Sequence, residues 1–399
     1  MSGTAAVPLA PSAYAPPAGL LSIRRVSLLI GAAGAAASLA GARFDPSQFF
    51  RSYLVAFLYW LSIALGCSAI GMLHHLTRGA WGLMIRRVLE AAAGTLPLVA
   101  LFFVPLLFGL GDLYRWARPD EVRGNALLEH QAIFLNVPFF VARAAIYFAI
   151  WCGFALILGR LSARQDATGD AGLQRRMQMI AAPGLALYCL TATFASIDWL
   201  MSLDSRWSST IYGVYFVGGQ AIAGLSFAIL VALYLRERGG MSQALRPIHF
   251  HDYGKLLLTF VVLWAYFAVS QLIIIWSGNL AEEITWYRGR LLGGWSGVSL
   301  LLVLLHFALP FVLLLSREGK RNSARLGVVA VLLLLMRWVD LHWLAAPAFS
   351  PERPAFHWLD AATMTALGGF WIAAFARLLA RRPLLPVRDP SLPEALAHD

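Results

Sequence analysis

Ten apolar runs of about 20 residues recur along the 399-residue chain, at roughly 26–42, 52–73, 89–111, 134–159, 179–200, 210–235, 255–277, 293–316, 326–346 and 360–380. A helix of that length crosses the roughly 30 Å hydrocarbon core of a bilayer. Lipid offers no hydrogen bonds to a backbone, so a spanning segment has to satisfy its own amides, and runs this long do so as helices. The spacing therefore predicts an all-α polytopic membrane protein. Composition agrees, with 59% hydrophobic and 13% charged residues, against about 25% charged in soluble proteins. Spans two to five and six to nine form two blocks of four helices, about 52–200 and 210–346, with one peripheral helix before and one after. An even number of spans per block gives both blocks the same orientation, which permits a parallel repeat. The membrane domain is expected over 25–380. Residues 1–24, with an Ala/Pro-rich start, are expected to be a disordered tail, and 381–399 a second terminal tail.

The net charge of +11 does not point to nucleic acid, because the charges sit in short loops between apolar spans. Of the 32 Lys and Arg residues, 21 fall on one side, nine on the other, and Arg143 and Arg337 within spans. The positive-inside rule then predicts that both termini are cytoplasmic. Arg24-Arg25, followed by a small-residue run to Ala42, has the form of a twin-arginine signal. It also reads as an ordinary first helix whose Gly and Ala residues pack closely on a neighbour, and that reading is preferred. Cys67, Cys152 and Cys189 are isolated in apolar runs, so no iron–sulfur or zinc site is expected from this chain alone, and the pairs His74–His75 and His249–His251 give only a weak metal signal.

The ionisable residues inside the spans are the functional signal. An Arg near mid-membrane costs roughly 2.5–3.5 kcal/mol on the lenient insertion scale, so such residues mark a polar interior. Arg337 and Asp340 are i,i+3 neighbours able to pair on one helix face, with His342 just beyond. Asp198 and Asp204 stand near the outer end of span five, Arg143 about 14 Å into span four. Gln271 lies in the outer half of span seven. A thinner inner set comprises Glu90, His249, His251, Asp252, Lys255 and His306. Asp198, Asp340 and His342 are candidates for an outer proton exit. His249, Asp252, Lys255 and His306 are candidates for an inner entry, with Arg337 and Tyr266 or water between the halves. Trp199, Trp264, Tyr266 and Gln271 are candidates for a quinone site. Each has a structural alternative: Asp198 as an outer-surface residue, Arg337–Asp340 as a packing pair, the aromatics as an interfacial belt. The 112–133 loop, mixed in charge, reads either as a partner surface or as a solvated loop.

The runs Ser196–Asp204 and Trp207–Tyr215, His251–Leu257, Trp264–Gln271 through Asn279 to Glu283, and Arg337–Leu341 together resemble the ActF-type membrane subunits of bacterial alternative complex III, relatives of the NrfD/PsrC-like quinone-interacting proteins. Ser205 and Ser208 depart from that pattern. The resemblance is strong over spans five to nine and weak over the first four. It implies a bacterial inner-membrane subunit, itself without a redox centre, in a complex that oxidises menaquinol or ubiquinol. The electrons would pass to a periplasmic acceptor such as cytochrome c. It also implies partners carrying haem c and iron–sulfur clusters: a multihaem cytochrome c, an iron–sulfur protein and a second NrfD-like membrane subunit, besides membrane lipids. A secondary transporter and a purely structural scaffold subunit remain open alternatives.

Overall fold

The computed structural model describes residues 11–397. Ten long apolar helices are present: α1 Gly19–Phe44, α2 Pro46–Thr77, α3 Ala80–Leu113, α4 Val137–Thr168, α5 Gly172–Trp199, α6 Tyr212–Arg238, α7 Pro247–Gly278, α8 Ser296–Leu315, α9 Ser323–Ala345 and α10 Trp358–Leu379. No strand occurs among the described residues. The chain is an all-α, multi-pass membrane protein.

Local sequence explains where the helices start, stop and deform. Asp45 alone separates α1 from α2, and its side chain accepts the Gln48 amide at 2.9 Å ahead of Pro46. Asn136 caps α4 in the same way, accepting from Phe139 at 3.0 Å. Both use a short polar side chain to satisfy an orphan amide, followed by a proline that lacks one. In α3 the helix breaks at Gly94–Thr95, just before Pro97, and tightens to a 3-10 stretch over Val104–Gly109. In α8 a π turn spans Leu302–Ala308.

Helices α2 to α5 pack in a ring, α2 against α3 and α5, and α4 against α3 and α5. Helices α6 to α9 repeat that pattern. The blocks meet through α2 on α6, and the last helix of each block reaches the first helix of the other. At the α2–α6 crossing Gly66 faces Gly224. A Cβ on Gly66 would fall on the Gln220 carbonyl, and one on Gly224 on the Cys67 amide. Two polar contacts follow the same exchange: Tyr188 of α5 donates to Gln220 of α6 at 2.5 Å, and Arg337 of α9 to Ser62 of α2 at 3.2 Å.

Helix α1 lies along α10, backbone to backbone through Gly31, Gly34 and Gly369. The expected disorder of residues 1–24 does not hold where the structure describes them. Helix α1 starts at Gly19, Leu20 is buried, and buried Tyr14 accepts the Leu384 amide at 2.8 Å. Composition alone did not reveal Tyr14 as an anchor; residues 1–10 lie outside the described residues. The C-terminal segment is tied across the same end of the bundle, called inner below. Its Arg382 reaches the Gly159 carbonyl, Asp389 pairs with Arg86, and Ser391 accepts from Gln174. Helices α2, α4 and α7 have 32 residues each, about 48 Å, longer than the apolar spans alone suggested. Their charged inner turns stay helical because other helices pack on them there. The 112–133 segment is not merely solvated either. It folds into short helices, buries Trp116 and Leu128, and Gln131 donates to the Ser205 carbonyl at 2.8 Å.

Candidate functional site

The first buried centre joins α4 to α5 near the outer end. Arg143 donates to both oxygens of Asp198, at 2.9 and 2.6 Å, in the bidentate geometry that makes such pairs strong. Tyr147, one helical turn from Arg143, donates to Asp198 at 2.8 Å. The remaining guanidinium nitrogen donates to the Phe134 carbonyl at 2.8 Å, and the Phe134 ring lies 3.9 Å from the charge. Asp198 is fully buried, so it is not the surface residue its position near a helix end allowed. Helix α4 begins at Val137, which puts Arg143 only about 9 Å inside it. That shallower depth is what lets the two meet.

The second centre lies between α6 and α9, against α2. Arg337 donates to Asp340 at 2.5 Å and to Ser62 at 3.2 Å, and Tyr215 donates to the other Asp340 oxygen at 2.5 Å. Arg337 and Asp340 have no exposed surface at all. Gly219 makes the room, since a Cβ there would overlap the guanidinium. Tyr215 stands 5.5 Å from the Trp264 ring, and Trp264 4.2 Å from the His306 imidazole. His306 belongs to the π turn of α8 and sits against the Met336 backbone. One extra residue per turn rotates it toward α7 and α9. It therefore joins the Arg337–Asp340 centre, not the inner set where its position in the span had placed it. Tyr266 is 62% exposed and bridges nothing to Arg337. Two residues from Trp264 is about 200° around a helix, so both cannot face the core. Tyr215 takes the place expected of Tyr266.

His342 faces a small outer cavity. Its Nδ1 lies 3.0 Å from the Trp338 carbonyl, and its Nε2 3.8 Å from Asp360. Bonding at Nδ1 makes that nitrogen the donor in the neutral ring and leaves Nε2 as the base. The gap to Asp360 is too long for a direct hydrogen bond. The cavity has a volume of about 110 Å³ and is lined by Arg51, His342, Phe356, His357 and Asp360, among others. That is room enough for water. Asp360 also accepts from Ser52 at 2.5 Å and the His357 amide at 2.8 Å.

The inner end holds a separate network. Arg86 binds Glu90 at 2.8 Å and Asp389 at 2.7 Å, and Arg87 binds Glu90 at 2.6 Å as well as Asp166. Beside it lies a cavity of about 540 Å³ lined by His74, His75, Arg86, Asp252 and Asp389, among others. Lys255 pairs with Asp252 at 3.1 Å, and the buried His249 accepts the Arg246 amide at the start of α7. Asp252, Lys255 and His249 are thus together at this end. The outer candidates are not one cluster: Asp198 belongs to the first block, Asp340 to the second, and His342 to the α9–α10 side.

The quinone candidates do not converge. Trp199 is packed among Phe57, Phe103 and Phe148, and its carbonyl accepts from Tyr114. Trp264 carries the His306 contact, and Tyr266 faces outward. Gln271 donates to Tyr287 at 3.0 Å, in a contact at the outer rim. Burial holds the Tyr287 hydroxyl up at about 12. Nearby, Arg290 donates to the Trp343 and Leu344 carbonyls at 3.1 Å each and lies over the Trp286 ring. Burial lowers its pKa to about 10, which leaves it charged at neutral pH. It caps the end of α9, where orphan carbonyls favour a cation. Among the described residues no three His, Cys, Asp or Glu side chains come together in a set that could hold a metal ion.

Reading the residues one by one missed Tyr147, Tyr215, Ser62 and Asp360. Of these only Tyr215 and Asp360 carried a signal. Tyr215 ends a run already singled out, and Asp360 is an acid at the start of an apolar span. Fold and site together define a multi-pass helical membrane protein with two buried Arg–Asp–Tyr centres and polar cavities at both ends. No protein-family model and no curated protein sequence matches the chain.

Proposed function

We propose that this chain is the proton-handling membrane subunit, itself without a redox centre, of a quinol-oxidising respiratory complex. The observation that carries the reading is the burial of ionisable groups in connected sets: Ser62–Arg337–Asp340–Tyr215 with Trp264 and His306 beside it, and His342 against Asp360 in a cavity of water size. Oxidation of a quinol releases two protons with two electrons. The electrons would leave through haem and iron–sulfur centres of partner subunits, and the protons need buried acceptors with an exit. His342 supplies an acceptor at Nε2 near the outer end, with Asp360 facing it. His suits the task because small shifts move its charge across neutral pH. Asp340, whose two oxygens are engaged by Arg337 and Tyr215, is placed to orient the network. The scattered positions of Trp199, Trp264, Tyr266 and Gln271 favour placing quinol oxidation itself on a partner. The inner-membrane location and cytoplasmic termini belong to the same reading.

The test is gentle purification of the tagged chain from native membranes. Co-elution with a c-type haem protein and an iron–sulfur subunit, with quinol oxidation in the eluate, is the expected result. Elution as a stable chain without haem or iron, active in solute uptake in liposomes, would overturn it.

A further inference from the structure

The inner end bears two kinds of arginine. Arg86, Arg87 and Arg382 turn inward and are matched by Glu90, Asp166 and Asp389. Arg24 of α1, Arg377 of α10 and Arg381 just beyond it make no side-chain hydrogen bond or ion pair with a described residue. These three converge on one groove of about 510 Å³ between α1, α3 and α10. Leu28, Leu98, Phe102 and Phe370 form its apolar wall, and none of its described lining residues is acidic. The charges share a level. Gly31 of α1 touches Phe370 of α10, and Arg24 and Arg377 each lie seven residues further toward the inner end. That is about 10 Å below the contact on both helices.

We propose that this groove is a binding site for an anionic phospholipid. The phosphate sits on the three guanidiniums and an acyl chain runs outward along Leu28, Leu98 and Phe370. Guanidinium matches phosphate in charge and in its forked geometry. Basic pockets between helices at the cytoplasmic face take such headgroups. Basic loops alone would satisfy the positive-inside rule, as the exposed Arg164, Arg175 and Arg176 do. What sets this site apart is that unpaired charges from two helices and the following segment end an apolar groove open to the bilayer. The lipid would tie α1, which otherwise rests mainly on α10, to the rest of the bundle. This inference shares the orientation of the respiratory reading but does not depend on its quinol chemistry.

The test is native mass spectrometry of the full-length chain, purified in mild detergent with whatever subunits accompany it and titrated with cardiolipin or phosphatidylethanolamine. The wild type should retain cardiolipin in preference to phosphatidylethanolamine. R24Q/R377Q/R381Q should lose that preference, by roughly five-fold for each arginine removed, while R24K/R377K/R381K keeps most of it. R164Q/R175Q/R176Q, changed on the exposed surface of the same end, should bind like the wild type. Equal retention by the wild type and the groove glutamine variant would overturn the proposal. So would an equal loss in the surface variant, which would reduce the effect to general charge. All three variants change exposed or half-buried side chains, and monodisperse elution of the lysine variant checks folding.

Discussion

At the scale of the residue, the Arg337–Asp340 pair concentrates the physics of the molecule. A charge pair with no exposed surface stabilises little over a well-packed apolar substitute, yet breaking it leaves one ion uncompensated. Arg337→Met or Asp340→Leu alone should therefore cost about 3–5 kcal/mol. The double variant should recover much of that loss, with thermal unfolding in detergent as the measurement. Additive losses in the double variant would show that Ser62 and Tyr215, not the pair, dominate the site. His342 makes a different prediction. Its ring touches the Trp338 carbonyl through one nitrogen and faces Asp360 with the other. His342→Gln keeps a polar side chain but cannot carry a proton. It should slow quinol turnover of the assembled complex by about 100-fold or more, on the scale of losing one acid–base group, with subunit composition intact. Wild-type turnover in this variant would count against a proton role. Asp198 shows the limit of reading residues singly. Its place near a helix end suggested the surface, and only the Arg143 and Tyr147 side chains from a neighbouring helix reveal why it is buried.

At the scale of the element, the α2–α6 crossing is set by two glycines. Gly66→Ala inserts a methyl where the Gln220 carbonyl already stands, and backbone cannot yield as a side-chain tip can. The expected cost is about 1–3 kcal/mol or more, as for other overpacked interiors. Gly111→Ala, with nothing near its Cβ, should be neutral. Equal melting points for the two variants would contradict a close crossing. The outer 115–121 turn offers a pH readout. Glu121 binds Arg115 at 2.6 Å and Arg118 at 2.5 Å, and these bonds hold its carboxyl below the usual 4.5. A carboxylate with a depressed pKa supports the fold above its unfolded value and loses that support as pH falls through the folded one. Protection from hydrogen exchange in this turn, corrected for the intrinsic exchange rate, should therefore fall below about pH 4.5, modestly because the groups are exposed. Glu121→Gln should abolish the dependence. Helix boundaries were partly legible: capping residues such as Asp45 and Asn136 stand in plain sight. The π turn of α8 was not, because an unbroken apolar run reads alike whichever way its hydrogen bonds close.

At the scale of the whole molecule, the ten apolar helices of the described residues bring the segments before α1 and after α10 to one end, where Leu384 binds Tyr14 and the last segment is tied to α3, α4 and α5. The excess of arginine at that end predicts that reporters fused to either terminus are cytoplasmic. A periplasmic signal from both would invert the orientation while leaving the fold untouched. The number of spans, their helical form and the existence of costly charge within them followed from the sequence alone. Lipid allows few solutions to backbone hydrogen bonding, and a run of about 20 apolar residues is a local property. The pairing of Arg143 with Asp198, the turn of His306 toward Trp264, the meeting of His342 with Asp360 and the separation of the four proposed quinone residues were decided only by tertiary structure. Each depends on which face of one helix meets which face of another, and in a helix apolar all round no periodicity in the sequence records that choice.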